Sequence, residues 1–248
     1  MIKIIICGVC GRMGKRIATL ASRDKDISIV GATEIKGCSF VGVNLGEELK
    51  THNLGVAISD NLNESIEKCD CVIDFTAPGA TLSNLKIARV NKKPIVIGTT
   101  GFTKEDLKEI ESAAGDIPIL FSPNMSVAVN LVFDLVKKTA KTLGKSYSVK
   151  MEEVHHIHKK DKPSGTGKLL AEIIKKERKD LEDIPINSIR EGEVVGDHKI
   201  IFDSEEDTIE ITHKAKTRDI FALGAIQSAK FLAGKPKGLY SMKDVLEL

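Results

Sequence analysis

Short apolar runs and longer segments of helical periodicity alternate along the first half of the chain. Five predominantly apolar runs lie at residues 2–7, 27–33, 71–75, 94–98 and 117–121. Most are followed by a segment whose apolar positions recur every three or four residues. A continuous apolar run is typical of a strand buried on both faces, as in a parallel sheet covered by helices. The pattern predicts a doubly wound parallel α/β sheet, with a loop-rich excursion over residues 36–58.

The second half of the chain has a different texture. A regular amphipathic helix is predicted over residues 126–143. Short strands then follow one another through polar turns, at 147–154, about 187–191, 196–203 and 208–214. This order predicts a second α+β domain with a mostly antiparallel, mixed sheet. We assign residues 1–126 and 219–248 to the first domain and 127–218 to the second.

Composition and charge narrow the class of partner. The chain has 248 residues, with 37 Lys+Arg against 35 Asp+Glu, and no stretch is basic enough to indicate nucleic acid or a membrane surface. No apolar run approaches the length of a membrane span or forms a signal peptide. We therefore expect a cytoplasmic protein with a small-molecule partner. The five cysteines are not interpreted as zinc or redox ligands, because Cys7 and Cys71 lie in apolar runs where cysteine behaves as a small buried hydrophobe.

The first predicted strand ends in a glycine-rich turn, Gly8-Val9-Cys10-Gly11-Arg12-Met13-Gly14, and a helix follows. Glycines allow a pyrophosphate to approach the backbone, the helix start meets its charge, and an acid about 20 residues on binds ribose hydroxyls. Glu34 stands at that distance. The alternative is tight packing alone, but strand, turn, helix and acid together favour a Rossmann-type dinucleotide site. Lys36 beside Glu34 leaves both NADH and NADPH possible.

Small polar residues stand where three later strands end: at Thr76, at 98–100 and at 122–124. Because the carboxyl ends of parallel strands line the ligand crevice of such a sheet, these positions predict a cofactor-facing rim. The alternative is that they are ordinary turn and cap residues.

The segment 152–167 concentrates titratable groups. It holds three of the chain's six histidines, followed by three lysines and the turn Ser164-Gly165-Thr166-Gly167. Imidazole and ammonium groups beside a helix start suit an anionic substrate that must gain a proton. A Walker motif is excluded by the residues at 162 and 169. A metal pair at His156 and His158, or a solvated basic loop, are the alternatives.

These motifs resemble those of the 4-hydroxy-tetrahydrodipicolinate (dihydrodipicolinate) reductase family along nearly the whole chain. The resemblance rests on residues 8–14, 74–76, 98–101, 153–166 and 211–215. It implies NADH- and/or NADPH-dependent reduction of a cyclic dicarboxylate imine, with loss of water, by a homotetramer. An oligomer also follows from the second sheet, whose uncovered face or edges another copy of the chain would cover.

The resemblance also implies residue roles. His155 would be the acid/base and Lys159 a proton donor. The substrate would be held by His156, Gly165, Thr166 and Thr100. Residues expected to hold the cofactor are Gly8, Val9, Cys10, Gly11, Arg12, Met13, Glu34, Gly98, Thr99, Thr100, Ser122, Pro123, Asn124 and Met125. No metal ligand is predicted.

Three positions depart from the common family pattern. Lys162 and Gly167 stand where alanine is usual, and Ile35 stands where arginine often follows the acid. The last departure puts a preference for NADPH in doubt. Two other functions remain open at this point: another Rossmann reductase of amino- or oxo-dicarboxylates, and a non-catalytic NAD(P)-sensing protein.

Overall fold

The computed structural model describes all 248 residues and divides into two compact units. The first consists of Met1–Met125 and Asp219–Glu247, and the second of Ser126–Arg218 with Leu248. None of the helices has the length and apolar character that crossing a membrane requires.

The first unit is built on a seven-stranded sheet in the order β11-β6-β5-β4-β1-β2-β3, in which every bonded pair is parallel. One apolar cluster covers each face of this sheet. The predicted Rossmann-type α/β fold is confirmed. The strands of this unit are β1 (Ile2–Cys7), β2 (Ile27–Thr33), β3 (Ile58–Ser59), β4 (Cys71–Asp74), β5 (Ile95–Ile97), β6 (Pro118–Phe121) and β11 (Gly238–Tyr240). Its helices are α1 (Arg12–Ala21), α2 (Leu45–Glu48), α3 (Pro78–Val90), α4 (Lys104–Ala113), α7 (Asp219–Leu232) and α8 (Met242–Leu246).

Three short elements of this unit were not anticipated from the sequence. The excursion predicted over 36–58 contains the one-turn helix α2, which the side chain of Asn44 caps, and ends in the two-residue strand β3. The tail adds β11, which pairs with β6. Elements of two to four residues are too short to show a period, so only neighbouring strands or caps can define them.

The second unit carries a four-stranded sheet in the order β10-β9-β7-β8. β9 is antiparallel to both β7 and β10, whereas β7 and β8 are parallel because helix α6 connects them. The mixed sheet is therefore confirmed. Its strands are β7 (Ser148–His155), β8 (Ile186–Arg190), β9 (Gly196–Asp203) and β10 (Thr208–Ala215), and its helices are α5 (Val127–Leu143) and α6 (Gly165–Glu177).

Strand β7 determines the face of the sheet on which Glu153 and His155 lie. Its side chains alternate between solvent and the interior, and Val149 and Met151 join the apolar cluster under α5 and α6. Because the side-chain period of a strand is two, Glu153 and His155 lie on that same inner face. The strand was expected to end near Val154, and it continues to His155.

Candidate active site

The glycine-rich turn of the first unit follows β1 closely. Gly8 has a left-handed φ of 72°, and its N–H donates to the Thr33 carbonyl at 2.8 Å. A Cβ on Gly14 would lie 2.0 Å from the carbonyl oxygen of Gly8, so the first turn of α1 can pack against this loop only as glycine. Gly11 precedes α1 without any side-chain cap. The helix start therefore presents backbone N–H groups suited to an anion.

Glu34, just past β2, lies against this turn. Its Oε2 accepts a hydrogen bond from the Cys10 backbone N–H at 2.9 Å, and its Oε1 accepts one from Ile35 N–H at 2.9 Å. The carboxylate is half-exposed, so it retains lone pairs for a ribose hydroxyl. Ile35 and Lys36 next to it are both exposed.

A buried carboxylate organises the neighbouring strand ends. Asp74 is fully buried at the end of β4, and its Oδ1 accepts hydrogen bonds from the hydroxyls of Thr76 at 2.7 Å, Thr81 at 2.8 Å and Thr99 at 3.2 Å. Its Oδ2 accepts one from the Asn84 amide at 2.7 Å. Thr76 and Thr99 are thus fixed by a single acid.

The predicted cofactor residues differ in what they can offer. The side chains of Val9, Thr99 and Met125 are buried, so these residues can meet a cofactor only through their backbone. Ser122 is also buried, and its hydroxyl donates to the Asn124 carbonyl at 2.8 Å. The exposed members of the set are Gly11, Arg12, Thr100 and Pro123, whereas Cys10, Met13, Glu34, Gly98 and Asn124 are partly buried and Gly8 is buried. All of them lie in the first unit, and their roles remain predictions.

The carboxylate of Glu153 is at the centre of a hydrogen-bond network in the second unit, and this residue is 1% exposed. Ser164 donates to it from its backbone N–H at 3.0 Å and from its hydroxyl at 2.5 Å. The Ser188 hydroxyl donates at 2.9 Å and the Arg190 guanidinium at 3.5 Å. These bonds outweigh the cost of burial, and they hold the pKa of Glu153 below its ordinary value. The group is therefore a buried anion at neutral pH.

The register of the sheet explains how these residues meet. Glu153 on β7 faces Ser188 on β8 and His198 on β9, and His198 in turn faces His213 on β10. His155, two residues further along β7, faces Arg190 on β8. Two successive rungs of one sheet face therefore carry the titratable groups.

His155 is 6% exposed and sits beside this anion, with its Nδ1 4.0 Å from Oε1 of Glu153. Its ring meets that of His198 edge-on, with centroids 5.1 Å apart. Burial lowers the pKa of His155, the charge of Glu153 opposes this, and Lys159 and Arg190 lower it further. A bound dianion would favour the protonated imidazolium. The group is thus placed for proton transfer to an anionic ligand.

The predicted residues in the segment after β7 differ in their exposure to solvent. Lys159 is partly buried, and its Nζ lies 2.8 Å from Asp161. His156 is partly buried, whereas the His158 ring is 71% exposed and lies 3.5 Å from Glu193. Arg190 donates to the backbone carbonyls of Lys159 and Asp161, and so ties this segment to β8.

Helix α6 begins where the predicted anion site was placed. Ser164 is its N-cap and accepts the Gly167 N–H at 3.0 Å. Gly165 is exposed and Thr166 is partly buried in the first turn, which contains no acidic residue. A substrate carboxylate would meet the positive end of the helix dipole there. The structure brings this helix start and His155 to the same carboxylate, Glu153, while Thr100 lies in the first unit.

Glu153, His155 and His198 also offer possible metal-ligating atoms within 4.8 Å of one another. The Glu153 oxygens are already engaged by Ser164 and Ser188, and the Arg190 guanidinium would repel a cation. The donor set therefore fits acid–base chemistry better than metal binding. The alternative metal pair, His156 and His158, is not part of this cluster.

Sequence reasoning gave no site role to several residues of these networks, and four of them illustrate why: Asp74, Ser188, Arg190 and His198. The end of an apolar strand marks Asp74, and strand alternation puts Glu153 and His155 on one face. The pairing of β7 with β8 and β9 brings in the other three. A sequence contains no direct signal of that register, because the partner strands are more than 30 residues away.

Two features define the class of protein. The first unit has a glycine turn with an acid placed to bind a ribose, and the second has a buried imidazole beside a helix start suited to an anion. This class is the two-domain Rossmann reductases, which use a nicotinamide cofactor. Within it, the chain belongs to the dihydrodipicolinate reductase family. The family's N-terminal region matches residues 2–125 and its C-terminal region matches residues 128–246.

Full-length relatives agree with this placement, and solved structures share the fold. The chain is 42% identical to a 4-hydroxy-tetrahydrodipicolinate reductase of Geobacter sulfurreducens, with all of both chains covered. It is 41% identical to one of Aquifex aeolicus, covering 100% of this chain and 99% of the other. In fold it is similar to a dipicolinate-bound dihydrodipicolinate reductase of Paenisporosarcina sp. TG-14, with a TM-score of 0.83, 24% identity and 97% of each chain covered. An amine dehydrogenase of Mycobacterium smegmatis has a TM-score of 0.65 at 14% identity, covering 97% of this chain and 95% of the other.

Proposed function

We propose that this chain reduces 4-hydroxy-tetrahydrodipicolinate to tetrahydrodipicolinate, with loss of water, in lysine and diaminopimelate biosynthesis. The names of its full-length relatives and the dipicolinate bound to the Paenisporosarcina protein support this substrate class. The observation that carries the proposal is the buried His155 beside Glu153, next to the α6 start. These groups suit a small dicarboxylate that must be held and protonated.

The chemistry needs one hydride and one proton. The residues of the glycine turn and the strand ends would hold a nicotinamide cofactor, which would supply the hydride for the electrophilic carbon of the conjugated imine that is formed when water leaves. His155 supplies the proton to the adjacent carbon, and Lys159 serves as a second donor. The N–H groups of Gly165 and Thr166, together with His156, hold a substrate carboxylate.

The cofactor is NADH or NADPH, held by the residues of the glycine turn and the three strand ends. Glu34 supports the use of NADH, because a carboxylate favours free ribose hydroxyls over a 2′-phosphate. Ile35 brings no cation to that position, whereas the exposed Lys36 allows NADPH as well. We propose that both cofactors are accepted and that NADH is preferred.

The assignments of residues 1–126 with 219–248 to the cofactor, and of 127–218 to the substrate and to assembly, belong to the same proposal. A homotetramer in the cytoplasm is its setting. The edge strand β10 supports assembly, since half or more of its side chains are exposed, including Ile209 at 39%. Light scattering should give a mass of four chains at micromolar concentration, and a monomer would contradict this part.

The test follows nicotinamide absorbance with enzymatically generated 4-hydroxy-tetrahydrodipicolinate. Wild-type protein should oxidise NADH or NADPH, and His155→Gln should lower kcat by about 100-fold or more, since a positioned acid contributes roughly 10²–10⁴-fold. Cofactor affinity should not change. The matched control is His158→Gln, which alters an exposed histidine of the same segment and should retain wild-type rates. Absence of oxidation by the wild-type protein with either cofactor would refute the proposal.

A further inference from the structure

We propose that Glu153 is a positioning residue that serves both the acid and the anion site of this reductase. Its buried charge sets the proton affinity of His155, and the same carboxylate fixes the start of α6. The inference rests on the proposed function for its kinetic consequence, whereas its effect on His155 can be measured without substrate.

Ser164 holds the carboxylate of Glu153 in place. Both oxygens accept from the Ser164 N–H, at 3.0 and 3.1 Å, and Oε2 also accepts from the Ser164 hydroxyl. A Cβ on Gly167 would lie 2.6 Å from that oxygen, so glycine leaves the carboxylate its place. Because Ser164 is the N-cap of α6, a displacement of Glu153 would also displace Gly165 and Thr166.

The hydrogen bonds of Ser164 determine which nitrogen of His198 carries a proton. Its single hydroxyl proton is donated to Glu153, so its oxygen accepts from Gly167 N–H and from Nε2 of His198 at 3.2 Å. His198 therefore carries its proton on Nε2. Burial, together with the neighbouring His155, lowers the pKa of His198 to about 4, so the ring is neutral at pH 7. His198 is thus a neutral neighbour of His155 and leaves Glu153 as the buried carboxylate beside that ring.

Titratable and charged groups face His155 from each element packed against it. Arg190 comes from β8, Lys159 and Asp161 from the segment after β7, and His198 from β9, with His213 of β10 behind it. Lys159 and Arg190 oppose protonation of His155. Asp161 is exposed and pairs with Lys159. Glu153 is therefore the buried anion that keeps His155 able to take up a proton.

The decisive variant is Glu153→Gln, which retains the size of the side chain and removes its charge. A neighbouring opposite charge at such a distance shifts a titration by about 1–3 pH units. We expect the His155 titration, followed by NMR of its ring Cε1–H and assigned with His155→Gln, to move down by about one pH unit. The limb on which kcat falls with rising pH should move down by the same amount, because the protonated form is the active one.

Glu153→Asp separates the two roles. It retains the charge but shortens the side chain by one methylene, so it weakens the bonds to Ser164. We expect the His155 titration to stay within a few tenths of a pH unit of wild type, while KM for the dicarboxylate rises several-fold. Cofactor affinity should not change in either variant. Glu152→Gln is the matched control, since Glu152 is the exposed neighbour on the opposite face of β7, and it should behave as wild type.

The outcomes are distinct. An unchanged His155 titration and unchanged KM in Glu153→Gln, or a loss of thermal stability alone with normal kinetics per folded molecule, would overturn the inference. If Glu153→Gln does not fold, an unchanged KM in Glu153→Asp overturns the anion-site role. A wild-type protein that shows the expected titrations but no turnover would refute the proposed function and leave the effect of Glu153 on His155 intact.

Discussion

Replacing Asp74 by alanine should strongly destabilise the first unit. The carboxylate is fully buried and accepts five hydrogen bonds: from the backbone N–H of Thr76 and from the side chains of Thr76, Thr81, Thr99 and Asn84. Alanine removes both acceptor oxygens at once, so the buried donors lose their hydrogen-bond acceptor. The strand ends at Thr76 and Thr99 would then have no common anchor.

The magnitude follows from which donors find a substitute. Thr81 already lies 3.1 Å from the Thr76 hydroxyl and 2.8 Å from that of Thr99, so the three hydroxyls can partly satisfy one another. The Thr76 N–H also bonds the Thr99 hydroxyl at 3.0 Å. The Asn84 amide loses its hydrogen bond to Oδ2 of Asp74. A hydrogen bond to a charged group contributes about 1.5–3 kcal/mol. The loss at the Asn84 amide and one net loss among the three hydroxyls therefore amount to about 3–6 kcal/mol.

The assay is thermal unfolding followed by circular dichroism. Since 1 kcal/mol shifts Tm by about 2–4 °C for a domain of this size, Asp74→Ala should lower Tm by at least about 6 °C. Asp74→Asn is the matched comparison, because Oδ1 remains an acceptor and the Asn84 amide can turn its oxygen toward the new NH₂ group. It should lose less than half as much. A Tm of Asp74→Ala within 2 °C of wild type, or equal losses in the two variants, would refute this reasoning.

Two further predictions concern the cofactor site. Gly14→Ala should abolish NADH binding measured by fluorescence, because the new Cβ would meet the Gly8 carbonyl oxygen at 2.0 Å. Gly79→Ala, which adds a Cβ with nothing within 4 Å, is its control, and wild-type affinity in both would contradict the packing argument. Lys36→Ala should raise KM for NADPH several-fold and leave KM for NADH unchanged, because only NADPH carries the 2′-phosphate. Equal changes in the two KM values would count against that role for Lys36.

Much of the fold was predictable because its signals are local. The buried runs of the first unit and the periodic helix α5 can be recognised from hydrophobic spacing alone, and the structure has them within one or two residues of the predicted bounds. The two-residue strand β3 and the three-residue strand β11 exist because a longer strand offers an edge to pair with. Nothing in their own sequences indicates them.

In the candidate site, too, local features are visible in the sequence and features that depend on strand pairing are not. The histidines and lysines at the end of β7 and just after it stand together in the sequence, so a titratable cluster was recognisable. Arg190 and His198 join it through strand pairing, which depends on the register of the whole sheet. Strand alternation puts His155 on the face of Val149 and Met151 and His156 on the other, but it is the packing of that first face under α5 and α6 that makes His155 the more buried of the two.

Arg190 has a consequence for the entropy of ligand binding. Its guanidinium bonds the carbonyls of Lys159 and Asp161, and Ser164 holds the far end of the same segment against Glu153. Ordering a residue costs about 1–2 kcal/mol, and here folding has already ordered this backbone. Binding of a ligand to segment 156–163 therefore does not incur that loss again, and more of the contact energy appears as affinity. The exposed side chains of Ile157 and Lys160 can vary without loosening the segment.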